Sequence, residues 1–331
     1  METITFFEIE QWEKEYLTSF FPDYNLKFLK EKIQEVEIQE LFSSSIISPF
    51  IYSKLSDEML KKFPNLKLIA TRSTGFDHID INFCKEHRIS VAHVPSYGAH
   101  TVAEHTFALL LALSRKIVSA VDRSRHGNFH LDGLKGFDLY GKTIGVIGEG
   151  EIGKKVIELA VCFGMNVLVF TRHSGDNRDN VRYVPLNELL QSSDIVSLHV
   201  RFTKETYHLI NKENINTFKK GSILLNTSRG QLVETHAILE GLKTGVLSGA
   251  GLDVLEEEGN LKEERELLTE EFLKRGNVEI QLLNHVLLTR DDVLFTSHNA
   301  FNSNEALHEI LDVTIKNIKE YISGNPKNIV L

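Results

Sequence analysis

The stretch Lys142-Thr-Ile-Gly-Val-Ile-Gly-Glu-Gly-Glu-Ile-Gly-Lys154 constrains this chain more than any other. Ile144 to Ile147 is a short apolar run, partly β-branched, of the kind that forms a buried parallel strand. It leads directly into Gly148-x-Gly150-x-x-Gly153. Ile152, Val156, Ile157, Leu159, Ala160 and Phe163 then recur at helical spacing up to Gly164, and Asn166 to Phe170 reads as a second strand. Alone, such a motif is only a Gly-rich turn. Strand, glycine turn, helix and strand within about 30 residues is the context that makes it a dinucleotide site. Gly148 forms the tight turn, Gly150 lets backbone approach a pyrophosphate, and Gly153 lets the helix pack on the strand. The helix N-terminus offers free N–H groups and the positive end of its dipole to the phosphates.

Around this unit, 331 residues suggest two domains. With 42% hydrophobic and 25% charged residues, the composition is that of an ordinary globular protein. There is no apolar run of transmembrane length, and Met1 to Phe7 lacks the basic head of a signal peptide and reads as a first strand. A net charge of −9 argues against nucleic acid as a main partner. The two cysteines, Cys84 and Cys162, have no CxxC neighbour, which fits a reducing cytoplasm and disfavours a cysteine metal site. His126 and His130 stand at i, i+4 without a flanking acid, a weak basis for a metal, so none is expected.

Residues 1 to 98 alternate short strands (Thr3–Ile9, Asn25–Leu29, Ile46–Tyr52, Leu66–Thr71, Ile89–Val94) with helical spacers such as Leu55–Phe63, the pattern of a parallel α/β sheet. Ala99 to Arg115 reads as a buried inter-domain helix, with His100 and His105 as polar packing, and Asp122 to Leu139 as a loop. Beyond Phe170, a charged connection (Arg178–Asn187) precedes a short helix (Asn187–Asp194). Strands follow at Ile195–Val200, Gly221–Asn226, Ser248–Val254 and Val293–Ser297, with a helix at Glu234–Lys243. Glu256 to Glu271 is acid-rich and reads as solvated helix or loop. The amphipathic tail Asn304–Tyr321 is expected to cross back and complete the first domain. The expected architecture is α/β, two Rossmann-like/flavodoxin-like parallel-sheet domains. The cofactor domain (99–301) is inserted into the substrate domain (1–98 plus 302–331), and the site lies beyond the carboxyl ends of the strands.

Three residues stand just past strands of the cofactor domain: Arg229, Glu258 and His298. An arginine fork can hold a carboxylate through two hydrogen bonds. A histidine can exchange a hydroxyl proton near neutral pH. An adjacent carboxylate fixes the tautomer of such a histidine. Each has an unremarkable alternative: a turn residue, a solvated glutamate, a helix cap. Their convergence beside a dinucleotide motif favours chemistry.

These pieces together resemble the D-isomer-specific 2-hydroxyacid dehydrogenase family over nearly the whole chain. The matching motifs, in order, are Ser73-Thr-Gly-Phe-Asp-His-Ile-Asp80, Val94-Pro-Ser-Tyr97, Thr101-Val-Ala-Glu-His105, the Gly148 turn, Asp194-Ile-Val-Ser-Leu-His199, Asn226-Thr-Ser-Arg-Gly230, Gly251-Leu-Asp-Val254 and Ser297-His-Asn-Ala300. Tyr97 and the long segment between Glu258 and His298 point to the D-lactate dehydrogenase branch. The resemblance implies that Arg229 binds the substrate carboxylate and polarises the keto oxygen, that His298 is the general acid in reduction, and that Glu258 is its partner. It places Asp253 near the nicotinamide and the histidine, the backbone of Thr74 and Gly75 on the substrate carboxylate, and Tyr97 in the pocket; Phe50, at the end of an early strand, is a candidate for the side-chain pocket, with core packing its expected role. For the cofactor it implies Thr101, Gly148, Gly150, Glu151, Ile152, Gly153, Thr171, Arg172, Val200, Arg201, Thr227, Ser228, Arg229, Asp253, His298 and Ala300. A homodimer is also implied.

Three departures matter. NAD-dependent members usually carry an Asp where this chain has Thr171, followed by Arg172, so NADP is expected to be accepted and even preferred, unless Arg172 merely stacks on adenine. The usual Pro after Leu-His-Val is Arg201, which adds positive charge near the cofactor. The Pro common after the catalytic Glu is Gly259, which leaves Glu257 and Glu256 open as alternatives to Glu258. The expected reaction is hydride transfer between NAD(P)H and a small 2-keto acid, with domain closure excluding water. Glyoxylate and hydroxypyruvate reductases, formate or phosphite dehydrogenases, and a nucleotide-sensing corepressor-like scaffold are the alternatives.

Overall fold

The computed structural model describes residues 2–37, 43–172, 175–258 and 278–330. The chain divides into two compact units, one of Met1–Gly98 with Ser303–Leu331 and one of Ala99–Asn302.

The first unit holds a parallel sheet in the order β2-β1-β3-β4-β5, built from β1 (Thr3–Phe6), β2 (Asn25–Phe28), β3 (Ser44–Ser48), β4 (Leu68–Ala70) and β5 (Ser90–Ala92). This is the flavodoxin-like order. Alternate side chains face opposite layers: Ile4, Phe6, Ile46 and Leu68 pack into one core cluster, while Ile47, Ile69 and Val91 pack into another. Helices α1 (Gln11–Thr18), α2 (Asp57–Leu60) and α3 (Ile81–Glu86) lie between the strands. Ser56 caps α2, its side chain accepting from Met59 N, and the helix ends at Leu60, short of the expected Phe63.

The second unit holds a seven-stranded parallel sheet, ordered β12-β11-β10-β9-β6-β7-β8. Its strands are β6 (Thr143–Ile147), β7 (Asn166–Phe170), β8 (Val181–Tyr183), β9 (Ile195–Leu198), β10 (Ser222–Asn226), β11 (Leu247–Leu252) and β12 (Val293–Phe295). Read from β8, this is the doubly wound 3-2-1-4-5-6 order with one more strand, and it reverses between β6 and β9. Its helices are α4 (Ala99–Ser114), α5 (Ile117–Arg125), α6 (Glu151–Cys162), α7 (Leu186–Ser192), α8 (Thr235–Thr244) and α9 (Val278–Leu288). The final helix, α10 (Asn304–Ile322), belongs to the first unit, where it buries Leu311, Ile315 and Ile318 in the cluster around Ile4 and Leu68. The tail therefore returns to complete that core.

Several expectations need correction. The Asp122–Leu139 segment is not all loop, because α5 runs through Arg125, with His126 as its cap. The connection Arg178–Asn187 contains the edge strand β8. Of the acid-rich stretch Glu256–Glu271, Glu256 is buried rather than solvated, and residues 259–271 lie outside the described residues. Gly259 is among them.

Candidate active site

The carboxyl ends of β10, β11 and β12 carry the three residues on which the sequence converges. The strands are parallel neighbours, paired Leu225↔Gly251 and Gly251↔Leu294 among others. Strands sit about 4.8 Å apart, so the loops that leave this edge fall within about 10 Å of one another.

Arg229 follows β10. Its segment is held by Asn226, which is buried: Asn226 Nδ2 donates to Arg229 O at 2.9 Å, and Ser228 N donates to Asn226 Oδ1 at 3.1 Å. Ser228 Oγ reaches back to Leu198 O at the end of β9. Thr227 is buried, its hydroxyl 2.9 Å from that of Thr106 on α4. Gly230 explains why the turn lies where it does, since a Cβ there would stand 2.1 Å from Leu255 C and O. Only glycine lets the Arg229 turn rest on the segment that leads to Glu258.

Glu258 Oε1 accepts from His298 Nδ1 at 2.8 Å, and Glu258 Oε2 accepts from Leu255 N at 3.2 Å. Nδ1–H thus points at the carboxylate and Nε2 is left as the atom that can exchange a proton. Glu256 is engaged elsewhere. Its Oε1 is 2.6 Å from His208 Nε2, and its Oε2 accepts from Thr235 N and Oγ1, each at 2.6 Å. Asn284 Nδ2 and Gln281 Nε2 on α9 donate to Glu256 O and Glu257 O, and both side chains are fully buried. Among the three glutamates, the geometry therefore pairs Glu258 with the histidine, while Glu256 fastens the turn from behind.

His298 itself sits at φ +48, a left-handed conformation uncommon for histidine. Asp253, which ends the β11 segment, holds it there. Asp253 O accepts from His298 N at 2.8 Å, Oδ1 accepts from Asn299 N at 2.8 Å, and Oδ2 accepts from Ala300 N at 2.9 Å. Thr296 Oγ1 also donates to Asp253 Oδ1, and His105 Nε2 lies 2.9 Å from Thr296 Oγ1. Burial pushes the Asp253 carboxyl up, but the bonds from His105, Thr296, Ala300 and Asn299 outweigh it and hold it below the ordinary carboxylate range. Its oxygens are spent on the loop, so it orients His298 through the backbone. His105, read from the sequence as packing, belongs to this network. The available signals were its place in the Thr101–His105 motif and among the polar residues that open an apolar helix.

The glycine turn occupies the other flank of the same sheet. Gly148 has φ +99, and an added Cβ would meet His199 O at 2.5 Å. A Cβ on Gly153 would meet Gly148 O at 2.0 Å, whereas a Cβ on Gly150 would have nothing within 4 Å. The turn is therefore closed on its inner side and open above Gly150, at the N-terminus of α6, as a diphosphate cradle requires. His199 lies beneath it. Its Nε2 is 2.7 Å from Ser197 Oγ, its Nδ1 has no partner among the described residues, and burial pulls its pKa from 6.5 down to about 3. Val200 flanks Gly148, while Glu151 pairs with Lys154 at 3.1 Å on the surface. Ile152 and Thr171 are half-buried, and Arg172 and Arg201 are exposed. Ala300 is buried, and Thr101 stands in the first turn of α4, half-buried.

Residues 107–300 match the family model for D-isomer specific 2-hydroxyacid dehydrogenase, NAD binding domain. The chain belongs to the D-isomer-specific 2-hydroxyacid dehydrogenase family. It is similar to D-lactate dehydrogenase of Escherichia coli, at 34% identity over 96% of both chains. It is also similar to 2-hydroxyacid dehydrogenase A of Aspergillus oryzae, at 38% over 84% of this chain and 79% of that one. The crystal structure of D-lactate dehydrogenase from Aquifex aeolicus, complexed with NAD and lactic acid, superposes with a TM-score of 0.85 at 37% identity, covering 97% of this chain and 96% of that one. The dehydrogenase is thus an oxidoreductase acting on the CH–OH group of D-2-hydroxy acids, with NAD as cofactor.

In the first unit of the dehydrogenase, Thr74 and Gly75 follow β4. Ser73 Oγ donates to Gly75 O at 2.6 Å, and His93 Nδ1 lies 3.0 Å from Thr74 O. Tyr97 follows β5 and is half-buried. Behind this loop is a residue the sequence reading missed. Arg72 is fully buried, with Nη2 donating to Phe7 O at 2.8 Å and Glu8 O at 3.0 Å, and its guanidinium 5.6 Å from the centre of the Phe50 ring. Phe50 is half-buried just past β3, against this cation and outside the two core clusters of the unit, so the expected core packing is corrected. Burial lowers the Arg72 pKa, and Glu13 and Glu8 offset part of that.

Proposed function

We propose that this dehydrogenase interconverts a small 2-keto acid of the pyruvate class and its D-2-hydroxy acid. The observation that carries the residue assignment is the 2.8 Å bond between His298 Nδ1 and Glu258 Oε1, at the same sheet edge as Arg229. Arg229 holds the substrate carboxylate with two parallel N–H donors and polarises the keto oxygen. His298 gives its Nε2 proton to that oxygen during reduction and takes it back during oxidation. Glu258 fixes the tautomer, and Asp253 fixes the loop. In the first unit the same reading assigns substrate contact to the Thr74 and Gly75 backbone and to Tyr97. The bound nicotinamide supplies or accepts the hydride. The cradle above Gly150 holds its diphosphate. Thr171 brings no charge to the adenosine end and Arg172 is exposed there, which supports admission of NADP(H) beside NAD(H).

Two further properties belong to this reading. Helix α5 buries none of its residues, and Ile117, Val118 and Val121 lie exposed, as do Phe129 at 78% and Leu131 at 81%. A clustered apolar face of this kind fits a second copy of the chain and supports a homodimer. The cytoplasm is the proposed compartment, on the cysteine usage.

The deciding experiment follows NADH and NADPH oxidation with glyoxylate, pyruvate, hydroxypyruvate and longer 2-keto acids, together with formate and phosphite in the reverse direction. Turnover fastest with a small 2-keto acid is expected. Turnover of formate or phosphite alone, or tight NADH binding without turnover of any keto acid, overturns the proposal. Sedimentation of the wild type and of Phe129→Ser with Leu131→Ser tests the dimer, and a wild-type monomer removes it.

A further inference from the structure

The adenosine end of the cofactor turn holds a carboxylate where the strand-end acid is missing. Gly148 N donates to Phe170 O, the last residue of β7, at 2.8 Å. That bond ties the turn to the end of β7, with Glu149 the next residue of the turn and Thr171 the first residue past β7. The Glu149 side chain reaches across β7 to β8. Both its oxygens accept from Tyr183 Oη, at 2.8 and 2.9 Å, and Oε1 stands 3.8 Å from Arg178 Nη2. Only 16% of the side chain is exposed. Tyr183 is held in turn by close packing at Gly175, where an added Cβ would stand 2.6 Å from the phenol oxygen. Burial and the bond to Glu149 raise the Tyr183 pKa, so the phenol remains the donor. In the doubly wound order, β6, β7 and β8 are the strands that hold the adenosine half.

We propose that Glu149 is the residue that selects NAD(H) over NADP(H), taking from the glycine turn the role left open by Thr171. Tethered by Tyr183, its carboxylate accepts from the ribose hydroxyls and repels a 2′-phosphate. Arg172 and Arg178 lie around the same end and offset part of the repulsion, so NADP(H) is disfavoured rather than excluded. The inference rests on the proposed cofactor site and ranks the two cofactors which that site admits, NAD(H) ahead of NADP(H), against the preference expected from Thr171 and Arg172 alone.

The test is equilibrium binding of NADH and NADPH to the full chain by nicotinamide fluorescence, with ADP and 2′,5′-ADP as competitors, beside steady-state rates. The wild type is expected to bind NADH more tightly. Glu149→Gln keeps the size and the bond to Tyr183 and is expected to shift the NADPH-to-NADH binding ratio about tenfold towards NADPH, a modest value for removing one like-charge contact. Thr171→Asp placed in the Glu149→Gln chain is expected to restore the original ratio, as a carboxylate returned to the same end of the cofactor. Tyr183→Phe keeps the charge and frees the tether, and is expected to blunt the ratio less. An unchanged ratio in Glu149→Gln, or a failure of Thr171→Asp to restore it, overturns the proposal. Tight, discriminating binding with no turnover of any keto acid would sink the assigned reaction but leave Glu149 standing, so the two failures are distinguishable.

Discussion

The two flanks of the seven-stranded sheet solve different problems. At β10, β11 and β12, most polar side chains behind the candidate catalytic residues are buried and bonded to backbone, although Gln281 Oε1 and Asn284 Oδ1 have no partner among the described residues. Asp253, Asn226, Asn284 and Glu256 all turn inward and hold backbone, so that Arg229, Glu258 and His298 have a defined place. At β6, β7 and β8, the turn works by what it lacks: Gly150 leaves open space, Gly153 allows contact, and the charges around it are largely exposed. Proton transfer requires reacting groups held to a fraction of an ångström, which a bonded network supplies. Phosphate and ribose recognition needs room, backbone N–H groups and a few charges that can change with little effect on the fold.

That contrast can be broken, beginning with the largest effect. His298→Gln is expected to lower turnover by about 10³-fold, with NADH affinity unchanged by fluorescence titration; near-normal turnover would remove His298 from the mechanism. Next, the two glycines should part company. Gly153→Ala forces a Cβ to 2.0 Å from Gly148 O and is expected to lower the melting temperature markedly. Gly150→Ala meets nothing within 4 Å, and is expected to leave melting unchanged while weakening NADH binding by about tenfold or more. Equal melting losses in the two variants would refute the open-cradle reading. On the catalytic flank, Asn284→Ala frees the carbonyl of Glu256 and is expected to cost about 1–3 kcal/mol in chemical denaturation. It should also lower kcat more than it raises the KM for NADH. A variant with intact kcat would show that this buried bond serves stability alone.

The smallest effect concerns pH. Burial lowers the pKa of His199 from 6.5 to about 3, so the unfolded chain takes up a proton below about 6.5 that the folded chain refuses. Stability should therefore fall as pH drops from about 6.5 towards about 3. The lowered carboxyl of Asp253 acts in the same direction at the acid end. His199→Asn should flatten the slope of melting temperature against pH in that window. Identical slopes would mean that His199 does not titrate as its burial requires.

Much of this was legible from residues in order. The β6–α6–β7 unit follows from an apolar run, three glycines at fixed spacing and a helical period. The return of α10 follows from an apolar stripe that needed a sheet to cover it. Other features were hidden for physical reasons. Helix α5 has no buried residue among the described ones, so its apolar residues carried no signal against a core. β8 is a three-residue edge strand with an exposed arginine at its centre, too short for a period of two to show. Glu256 looked like one more solvated acid because its partners, His208 and Thr235, are distant in sequence. Residues 259–277, where the missing proline would have been informative, lie outside the described residues.

By itself the sequence determined the kind of protein: two α/β sheets, a dinucleotide turn, and an arginine, a glutamate and a histidine placed just beyond strands. Those features depend on local periodicity and on residue chemistry, which are written one residue after another. Tertiary structure decided between Glu258, the partner that the resemblance implies, and its two neighbours, and it alone showed that Asp253 and His105 hold the histidine loop and that Glu149 is tethered to Tyr183. Each of these depends on bonds between side chains and backbone that lie far apart in the chain, and only the packing of parallel strands brings such groups within 3 Å or so of one another.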